Sequence, residues 1–162
     1  TKSLAQYFRL ALNQGHEQIA LKDEIDHVRQ YLFIQKQRYG DKLQYAIEED
    51  QSIADYKLPK LVLQPLVENA IYHGIKEIDR QGMIRVTAAA EKQLVLAIYD
   101  NGCGFELRDS TDKTLPRLGG VGLKNVDQRL RLQFGEDYHM EIQSEPDKFT
   151  QISLYLPLVT DD

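Results

Sequence analysis

Three short clusters hold the residues of this chain whose types and spacing are suited to chemistry. The first lies between Gln64 and Gly74, where Asn69 and His73 are four residues apart. In a helix this spacing places both side chains on one face, with Glu68 about 100° around the axis. The amide oxygen of Asn69 suits a hard cation such as Mg²⁺, which takes oxygen ligands and keeps several waters and substrate phosphates. The alternative is that Glu68, Asn69 and His73 only form an exposed polar face.

The second cluster runs from Asp100 to Phe105 and follows an apolar stretch that ends at Tyr99. A carboxylate at the end of a strand, here Asp100, can accept a hydrogen bond from an exocyclic amine. Gly102 and Gly104 would let a ligand approach the backbone closely, because glycine has no Cβ. An Asp-Asn-Gly sequence is also common in ordinary turns, so a turn without a ligand is the alternative interpretation.

The third cluster is the glycine-rich run at 119–122, followed by Leu123 and Lys124 at the predicted start of a helix. Backbone of this kind presents free N–H groups and the positive end of the helix dipole, which together favour an anion. The alternative is a hinge. The spacing does not match the Walker A pattern, and no dinucleotide fingerprint follows a strand here, so a P-loop or Rossmann fold explains the run poorly.

Two predicted helices open the chain, over 4–12 and from Leu21 to about Gly40. The second carries a heptad-like apolar stripe at Leu21, Ile25, Val28 and Leu32. Helices with such a stripe often form a bundle with another chain. We therefore expect this pair to lie outside the main core.

Apolar and polar residues then alternate over five predicted strands, at 43–47, 83–89, 94–99, 139–144 and 150–156. Two helices are predicted between them, from Pro59 to Gly74 and over 122–134, with a long loop at 102–120. Pro65 lies inside the first of these helices and is expected to remove one backbone hydrogen bond and bend it. The order predicts an α/β fold, a two-layer sandwich whose mixed, mostly antiparallel sheet has helices on one face. We expect residues 41–162 to form this domain, after a helical region at 1–40.

The composition limits the classes of function. The 162 residues include 20 basic and 25 acidic side chains, a net charge of −5, which argues against a dedicated nucleic-acid surface. A single cysteine, Cys103, cannot form an internal disulfide, which favours a cytosolic compartment. Since no apolar run approaches about 18 residues, we expect no membrane contact by this part of the protein.

The joint order of the three clusters resembles the GHKL ATP-binding superfamily, which includes the ATPase domains of gyrase, heat-shock chaperones, MutL and histidine kinases. Its N box corresponds to Glu68-Asn69-Ala70, its G1 box to Asp100–Gly104 and its G2 box to Gly120–Leu123. More narrowly, the chain resembles sensor histidine kinases of the LytS/YesM type. That match rests on stretches at 21–32, 35–42, 63–74 and 122–130.

The resemblance implies a role for each matched residue. Asn69 would bind the Mg²⁺ that bridges the phosphates of ATP, and Glu68 would polarise the attacking histidine or a water. His73 would line the phosphate side, and Asp100 would accept a hydrogen bond from the adenine amino group. Thr150 would support the adenine through a water.

The glycines of the family boxes would shape the same site. Gly102 and Gly104 would form the adenine pocket, while Gly120 and Gly122, with Leu123 in the same box, would bind the phosphates at the end of the loop. Arg129 would be either structural or directed at the phosphates.

The implied function is that of the ATP-binding catalytic domain of a two-component sensor histidine kinase, with ATP and Mg²⁺ as cofactors. The γ-phosphoryl group would pass to a histidine, and then to an aspartate of a response regulator receiver domain. The full-length protein would be a homodimer, and this chain would be a cytoplasmic domain of a membrane-anchored bacterial sensor. Residues 1–40 would be a remnant of its dimerisation and phosphotransfer region.

The chain departs from the family in lacking a Pro-His-Phe-Leu-Phe-Asn-like stretch around a phosphate-accepting histidine. Its four histidines are His16, His27, His73 and His139. We therefore expect it to bind ATP without efficient autophosphorylation. The alternatives are a GHKL-type ATPase or serine kinase, or a non-catalytic nucleotide-sensing dimerisation module.

Overall fold

A computed structural model describes residues 17–106 and 120–158 of the chain. These residues form seven strands and three α-helices, together with short 3₁₀ turns and one π-helical segment. In chain order the elements are β1 (Gln18–Ala20), α1 (Leu21–Tyr39), β2 (Leu43–Glu49), β3 (Lys57–Pro59), α2 (Leu63–Asn69), the π-helical segment (Ala70–Ile75), β4 (Gly82–Ala90), β5 (Leu94–Asp100), α3 (Gly120–Phe134), β6 (His139–Glu145) and β7 (Phe149–Leu156).

Five strands form one mixed sheet in the order β2-β4-β5-β7-β6. β2 and β4 are parallel, and the other three neighbouring pairs are antiparallel. Alternate residues along β5 are buried, and the buried set packs in one cluster with side chains of the helices. The predicted two-layer α/β sandwich with a mostly antiparallel sheet is therefore confirmed. β1 and β3 pair separately as a small antiparallel ribbon.

Helix α1 packs on the core of this chain. Its apolar stripe, Leu21, Ile25, Val28 and Leu32, is at most 1% exposed and belongs to the same buried cluster as the sheet. The prediction that this helix lies outside the main core is therefore wrong, because heptad spacing shows which face is buried but not what covers it. The helix ends near Gly40 as predicted, where a φ of 58° suits glycine. The helix predicted over 4–12 lies outside the described residues, and the domain division at residue 40 stays a prediction.

Helix α2 begins at Leu63, four residues later than predicted. Pro59 instead ends strand β3, and Leu61 takes a φ of 59°, which interrupts any helix between them. Pro65 is the third residue of α2, where N–H groups have no acceptor within the helix, so it removes no intrahelical hydrogen bond, contrary to the prediction. The helix continues to Ile75 in π geometry.

The remaining elements follow the predicted pattern closely. The ends of β4, β5, β6 and β7 lie within one residue of those predicted, and α3 begins two residues earlier, at Gly120. Most of the predicted loop, at 107–119, lies outside the described residues. No helix in the described ranges is both long and apolar enough to cross a membrane.

Candidate active site

One pocket brings together residues from four parts of the fold. Its walls come from the end of α2, the π-helical segment, the end of β5 with the loop after it, and the start of β7. Five of its six lining residues were predicted from the sequence, the exception being Gly74: Asn69, His73, Gly74, Asp100, Gly104 and Thr150. Asn69 and Asp100, which are 31 residues apart in the sequence, thus lie in the same pocket.

Asn69 is the last residue of α2 and its side chain is only 7% exposed. Its Oδ1 is fully buried and has no hydrogen-bond partner among the described residues. Leaving a buried polar atom unpaired costs about 1–3 kcal/mol, so such an atom in a pocket indicates a partner supplied from outside the chain. An amide oxygen is a suitable ligand for Mg²⁺, and the geometry of Asn69 therefore fits the implied metal.

Glu68 and His73 are exposed. Glu68 accepts a hydrogen bond from Gln64 Nε2 at 3.1 Å, one turn earlier on α2, and it does not line the pocket. Glu68 therefore lies on an exposed polar face, whereas Asn69 does not. The catalytic role of Glu68 stays a prediction. His73 lies at the edge of the pocket, and its backbone oxygen accepts a hydrogen bond from Cys103 Sγ at 2.7 Å.

Asp100 ends β5 and is 4% exposed. Its Oδ1 accepts the N–H of Gly102 at 2.9 Å, a contact typical of a turn, and the same residue lines the pocket. The role of Asp100 towards a ligand stays a prediction. Burial raises the pKa of Asp100 to about 6, while the Gly102 N–H and the positive charge of Arg80 act in the opposite direction. A desolvated carboxylate in a pocket is a strong acceptor for a ligand donor.

Close contact between two chain segments explains the glycines of the second cluster. A Cβ added to Gly102 would overlap the backbone of Gly74, and one added to Gly104 would overlap the carbonyl group of Glu145. Gly104 also has a φ of 58°, which disfavours other residues. These glycines thus allow the π-helical segment and the β6–β7 hairpin to approach the loop after β5.

Thr150 lies beside Asp100 in the β5–β7 ladder and is 5% exposed. Its Oγ1 is 2.8 Å from Ser144 Oγ, which also lies 2.9 Å from the oxygen of Phe149 and accepts the N–H of Phe105 at 2.9 Å. A carbonyl oxygen can only accept, so the single Ser144 proton goes to Phe149. The Thr150 hydroxyl then donates to Ser144, which leaves the Thr150 oxygen as an acceptor at the pocket.

Arg80 and Ser144 were not identified from the sequence. Arg80 donates to the backbone oxygens of Asn101, Gly102 and Asp147, the last two at 3.1 Å, and so ties the loop after β5 to the β6–β7 turn. Both side chains act on backbone groups, and spacing along the chain gives no sign of such contacts. The only available signal was Ser144, a polar residue at a core-facing position of a strand.

The third cluster begins α3. A Cβ added to Gly122 would lie 3.7 Å from Pro65 Cβ, which places the first turn of α3 beside the first turn of α2. The Leu123 side chain is 2% exposed and belongs to the core, so only its backbone is suited to a ligand. Among the described residues, Gly102, Gly122 and Leu123 do not line the pocket. A Cβ at Gly102 would meet the backbone of Gly74, which does line it. The phosphate role of Gly120, Gly122 and Leu123 stays a prediction.

Comparison with known proteins identifies the family. The profile of the histidine kinase-, DNA gyrase B-, and HSP90-like ATPases matches residues 54–160, and that of a histidine kinase family matches residues 1–43. The sensor histidine kinase BtsS of Escherichia coli K12 is 39% identical over 155 residues, which cover 95% of this chain and 26% of that protein. YesM of Bacillus subtilis is 34% identical over 96% of this chain and 27% of its own length. LytS of Oceanobacillus iheyensis is 32% identical over 95% of this chain and 28% of its own length.

Solved structures agree on the fold. The histidine kinase AdeS of Acinetobacter baumannii aligns over 88% of this chain and 67% of its own, with a TM-score of 0.64 and 15% identity. The catalytic domain of the histidine kinase ThkA aligns over 86% of this chain and 93% of its own, with a TM-score of 0.60 and 14% identity. The chain spans about a quarter of the length of the curated relatives that it matches. It belongs to the histidine kinase-, DNA gyrase B- and HSP90-like ATPase family, and its relatives within that family are sensor histidine kinases of the LytS/YesM type.

Proposed function

We propose that this chain is the catalytic domain of a two-component sensor histidine kinase, which binds ATP with Mg²⁺ and transfers the γ-phosphoryl group to a histidine. One observation carries the proposal. The amide oxygen of Asn69, which has no hydrogen-bond partner among the described residues, and the desolvated carboxylate of Asp100 line the same pocket. The first suits a hard cation and the second suits an amine donor, as a complex of Mg²⁺ with an adenine nucleotide requires.

The adenine end of the nucleotide would lie against Asp100 and Thr150. The Asp100 carboxylate accepts the hydrogen bond of the exocyclic amine, and the Thr150 oxygen accepts a second one, directly or from a water. Guanine carries a carbonyl oxygen at the position of that amine, so it would place an acceptor against an acceptor. A buried polar group left without its partner is the usual cause of strong discrimination between such ligands.

The phosphate end would lie towards Asn69 and the start of α3. When bound, Mg²⁺ neutralises phosphate charge and orients the transferred group. Asn69 would hold that ion through Oδ1, and the N–H groups at the start of α3 would bind phosphate oxygens. Catalysis then depends on positioning, because phosphoryl transfer requires little covalent chemistry from the protein.

Glu68 would act on the phosphate acceptor. It is exposed on α2 directly before Asn69, so a histidine on another segment or another chain can reach it. As a carboxylate it would accept the proton on one imidazole nitrogen and so orient the other nitrogen towards the γ-phosphorus. The new bond forms from that nitrogen to phosphorus, the bond to the bridging oxygen breaks, and ADP leaves.

The same proposal covers the whole protein to which this domain belongs. The acceptor histidine lies outside this chain, the phosphoryl group continues to a response regulator, and the whole protein is a homodimer. Its relatives carry the name of sensor kinases, and this chain corresponds to about a quarter of their length. We propose that it is a cytoplasmic domain of a membrane-anchored sensor.

Calorimetric titration tests nucleotide recognition. ATP and GTP are each titrated into the chain with Mg²⁺ and with EDTA. We expect binding of ATP that requires Mg²⁺, and much weaker binding of GTP. Failure of both nucleotides to bind would overturn the proposal and favour an interaction module.

Phosphotransfer is tested by adding a histidine-bearing helical region of a LytS/YesM-type relative together with labelled ATP. Acid-labile label on that region would show histidine phosphorylation. Release of inorganic phosphate alone would identify an ATPase, and acid-stable label on serine would identify a serine kinase.

A further inference from the structure

Two consecutive peptide groups are held between Glu24 of α1 and Arg129 of α3. The Arg129 guanidinium donates to the oxygens of Lys60 and Leu61, both at 2.6 Å. On the other side, the Glu24 carboxylate accepts the N–H groups of Leu61 and Val62. Each peptide group therefore has its N–H directed at a negative charge and its oxygen at a positive charge. We call this arrangement the Glu24–Arg129 clamp.

Glu24 is buried to 1% exposure, which is unusual for a carboxylate. It accepts a third hydrogen bond from the N–H of Leu63 at 3.0 Å, at the start of α2. Burial lowers the pKa of Arg129, and the charge of Glu24 raises it. The two charges thus stabilise one another through the peptide layer between them, and charge-assisted hydrogen bonds of this kind are roughly twice as strong as neutral ones.

The clamp explains how the chain enters α2. Leu61 has a φ of 59°, a conformation that a leucine keeps only when its surroundings impose it. The Leu61 side chain is 52% exposed, so packing of this side chain does not hold it there. Hydrogen bonds on both sides of the Leu61 backbone hold it in this conformation.

The elements joined by the clamp carry the two halves of the site. The segment held by Glu24 leads into α2, which ends at Asn69. Arg129 lies on α3, whose first turn carries Gly122 and lies beside Pro65 in the first turn of α2. Any shift of the 60–63 segment would change the position of Asn69 relative to the start of α3.

We propose that Glu24 and Arg129 are positioning residues for the nucleotide site, and this rests on the proposed function. They fix the start of α2 against α3, so that the Asn69 oxygen and the N–H groups of α3 reach the same phosphates. Neither side chain touches the nucleotide. The sequence leaves open whether Arg129 is structural or directed at the phosphates. In this proposal it acts through the backbone of Lys60 and Leu61. Helix α1 is thereby a part of the site, although it contributes no residue to the pocket.

The test separates positioning from general stability. Glu24→Gln keeps the shape but loses the charge and one acceptor oxygen, while Arg129→Lys keeps the charge but loses the planar fork that reaches two oxygens. Val28→Ala, a truncation of a core residue on α1 without polar contacts, is the matched control. Thermal midpoints and Kd values for ATP with Mg²⁺ are measured for all four proteins, with temperature chosen so that each is folded.

We expect both clamp variants to raise Kd roughly tenfold, as removal of groups that orient ligands typically does. The control is expected to lower the thermal midpoint while its Kd stays at the wild-type value. Wild-type Kd values in both clamp variants, or a rise no larger than that in Val28→Ala, would overturn the proposal.

Hydrogen exchange of the ligand-free proteins gives a readout that does not depend on nucleotide. We expect either clamp variant to increase exchange both in Leu63–Asn69 and in the first turns of α3, and Val28→Ala to leave α3 unchanged. Unaltered exchange in both segments of the clamp variants would contradict positioning. If the wild-type chain bound no ATP, the proposed function would fall, and the exchange data would still decide whether the clamp positions α2 against α3.

Discussion

Gly74 approaches the carboxylate of Asp100 so closely that a Cβ at residue 74 would lie 2.5 Å from Asp100 Oδ1. Only a hydrogen atom fits between the π-helical segment and the end of β5. π-Helical turns widen a helix and occur frequently at functional sites. Here the segment follows Asn69 directly, so one stretch of backbone sets the distance from the Asn69 oxygen to the Asp100 carboxylate.

Gly74→Ala is expected to abolish or greatly weaken ATP binding and to destabilise the fold by about 1–3 kcal/mol, the usual cost of overpacking. The added methyl group must move either the Asp100 carboxylate or the π-helical segment. Calorimetry and thermal unfolding measure the two effects. The matched control is Gly135→Ala, because a Cβ at Gly135 meets no described residue within 4 Å. Its φ of 59° strains alanine, so this control reports a loss of stability without a contact to Asp100. Equal affinity in Gly74→Ala and wild type would show that Asp100 does not contact the ligand.

Asp100→Asn is expected to stabilise the ligand-free chain above pH 6 and to lose the preference for ATP over GTP. Burial raises the pKa of Asp100 from its ordinary value of 3.8 to about 6, so the folded state binds a proton more tightly than the unfolded state. The wild type therefore loses stability as the pH rises from about 4 to about 6, by roughly 3 kcal/mol in total. Asparagine keeps an oxygen for the Gly102 N–H and carries no charge.

Thermal unfolding of both proteins between pH 4 and pH 8 measures this difference. The stability advantage of Asp100→Asn should be absent near pH 4 and complete above about pH 6. A stability difference between the two proteins that stays constant from pH 4 to pH 8 would mean that Asp100 is not desolvated. Equal ATP-over-GTP selectivity in the two proteins would remove Asp100 from adenine recognition, whatever the stability data show.

The sheet and most of its strand ends were predictable because each strand alternates between the core and the opposite face. In β5, for example, Leu94, Leu96 and Ile98 are buried and the residues between them are not. The pairing order was not predictable, because β2 joins β4 in parallel across a connection of more than thirty residues. Local patterns contain no information on such a crossover.

Site residues whose role depends on the type of side chain were predictable from the sequence. Residues that act on backbone groups were not. Asn69 and Asp100 were identified from residue type and position and Thr150 through the resemblance to a family, and the structure brings them to one pocket. The contacts of Glu24 and Arg80 were not predictable, because their partners are backbone N–H groups and carbonyl oxygens, which nearly every residue carries. The apolar stripe on α1 was correctly predicted to be buried, but it packs on the core of this chain and not, as expected, against another chain.

Asn69→Ala is expected to remove the dependence of ATP binding on Mg²⁺ and to raise Kd at least roughly tenfold, the equivalent of losing one interaction with a charged group. Since Oδ1 has no partner among the described residues, we expect only a small change in the stability of the ligand-free chain. Titrations with Mg²⁺ and with EDTA, together with thermal unfolding, measure both quantities. Retained Mg²⁺ dependence in the variant would exclude Asn69 as the ligand. A large loss of stability without ligand would indicate that its oxygen has a structural partner.

Glu68→Gln separates binding from transfer. Glu68 is exposed, does not line the pocket and accepts a hydrogen bond from the neighbouring Gln64, so its replacement is expected to leave both the fold and the Kd for ATP unchanged. Transfer to a histidine-bearing helical region supplied in trans should fall by about 10²–10⁴, the usual contribution of a general base or of a group that orients the nucleophile. The matched control is Glu77→Gln, which removes a carboxylate from the exposed turn after the π-helical segment. Undiminished phosphohistidine formation by Glu68→Gln would exclude Glu68 from the transfer step, and weakened ATP binding would place it instead with the residues that hold the nucleotide.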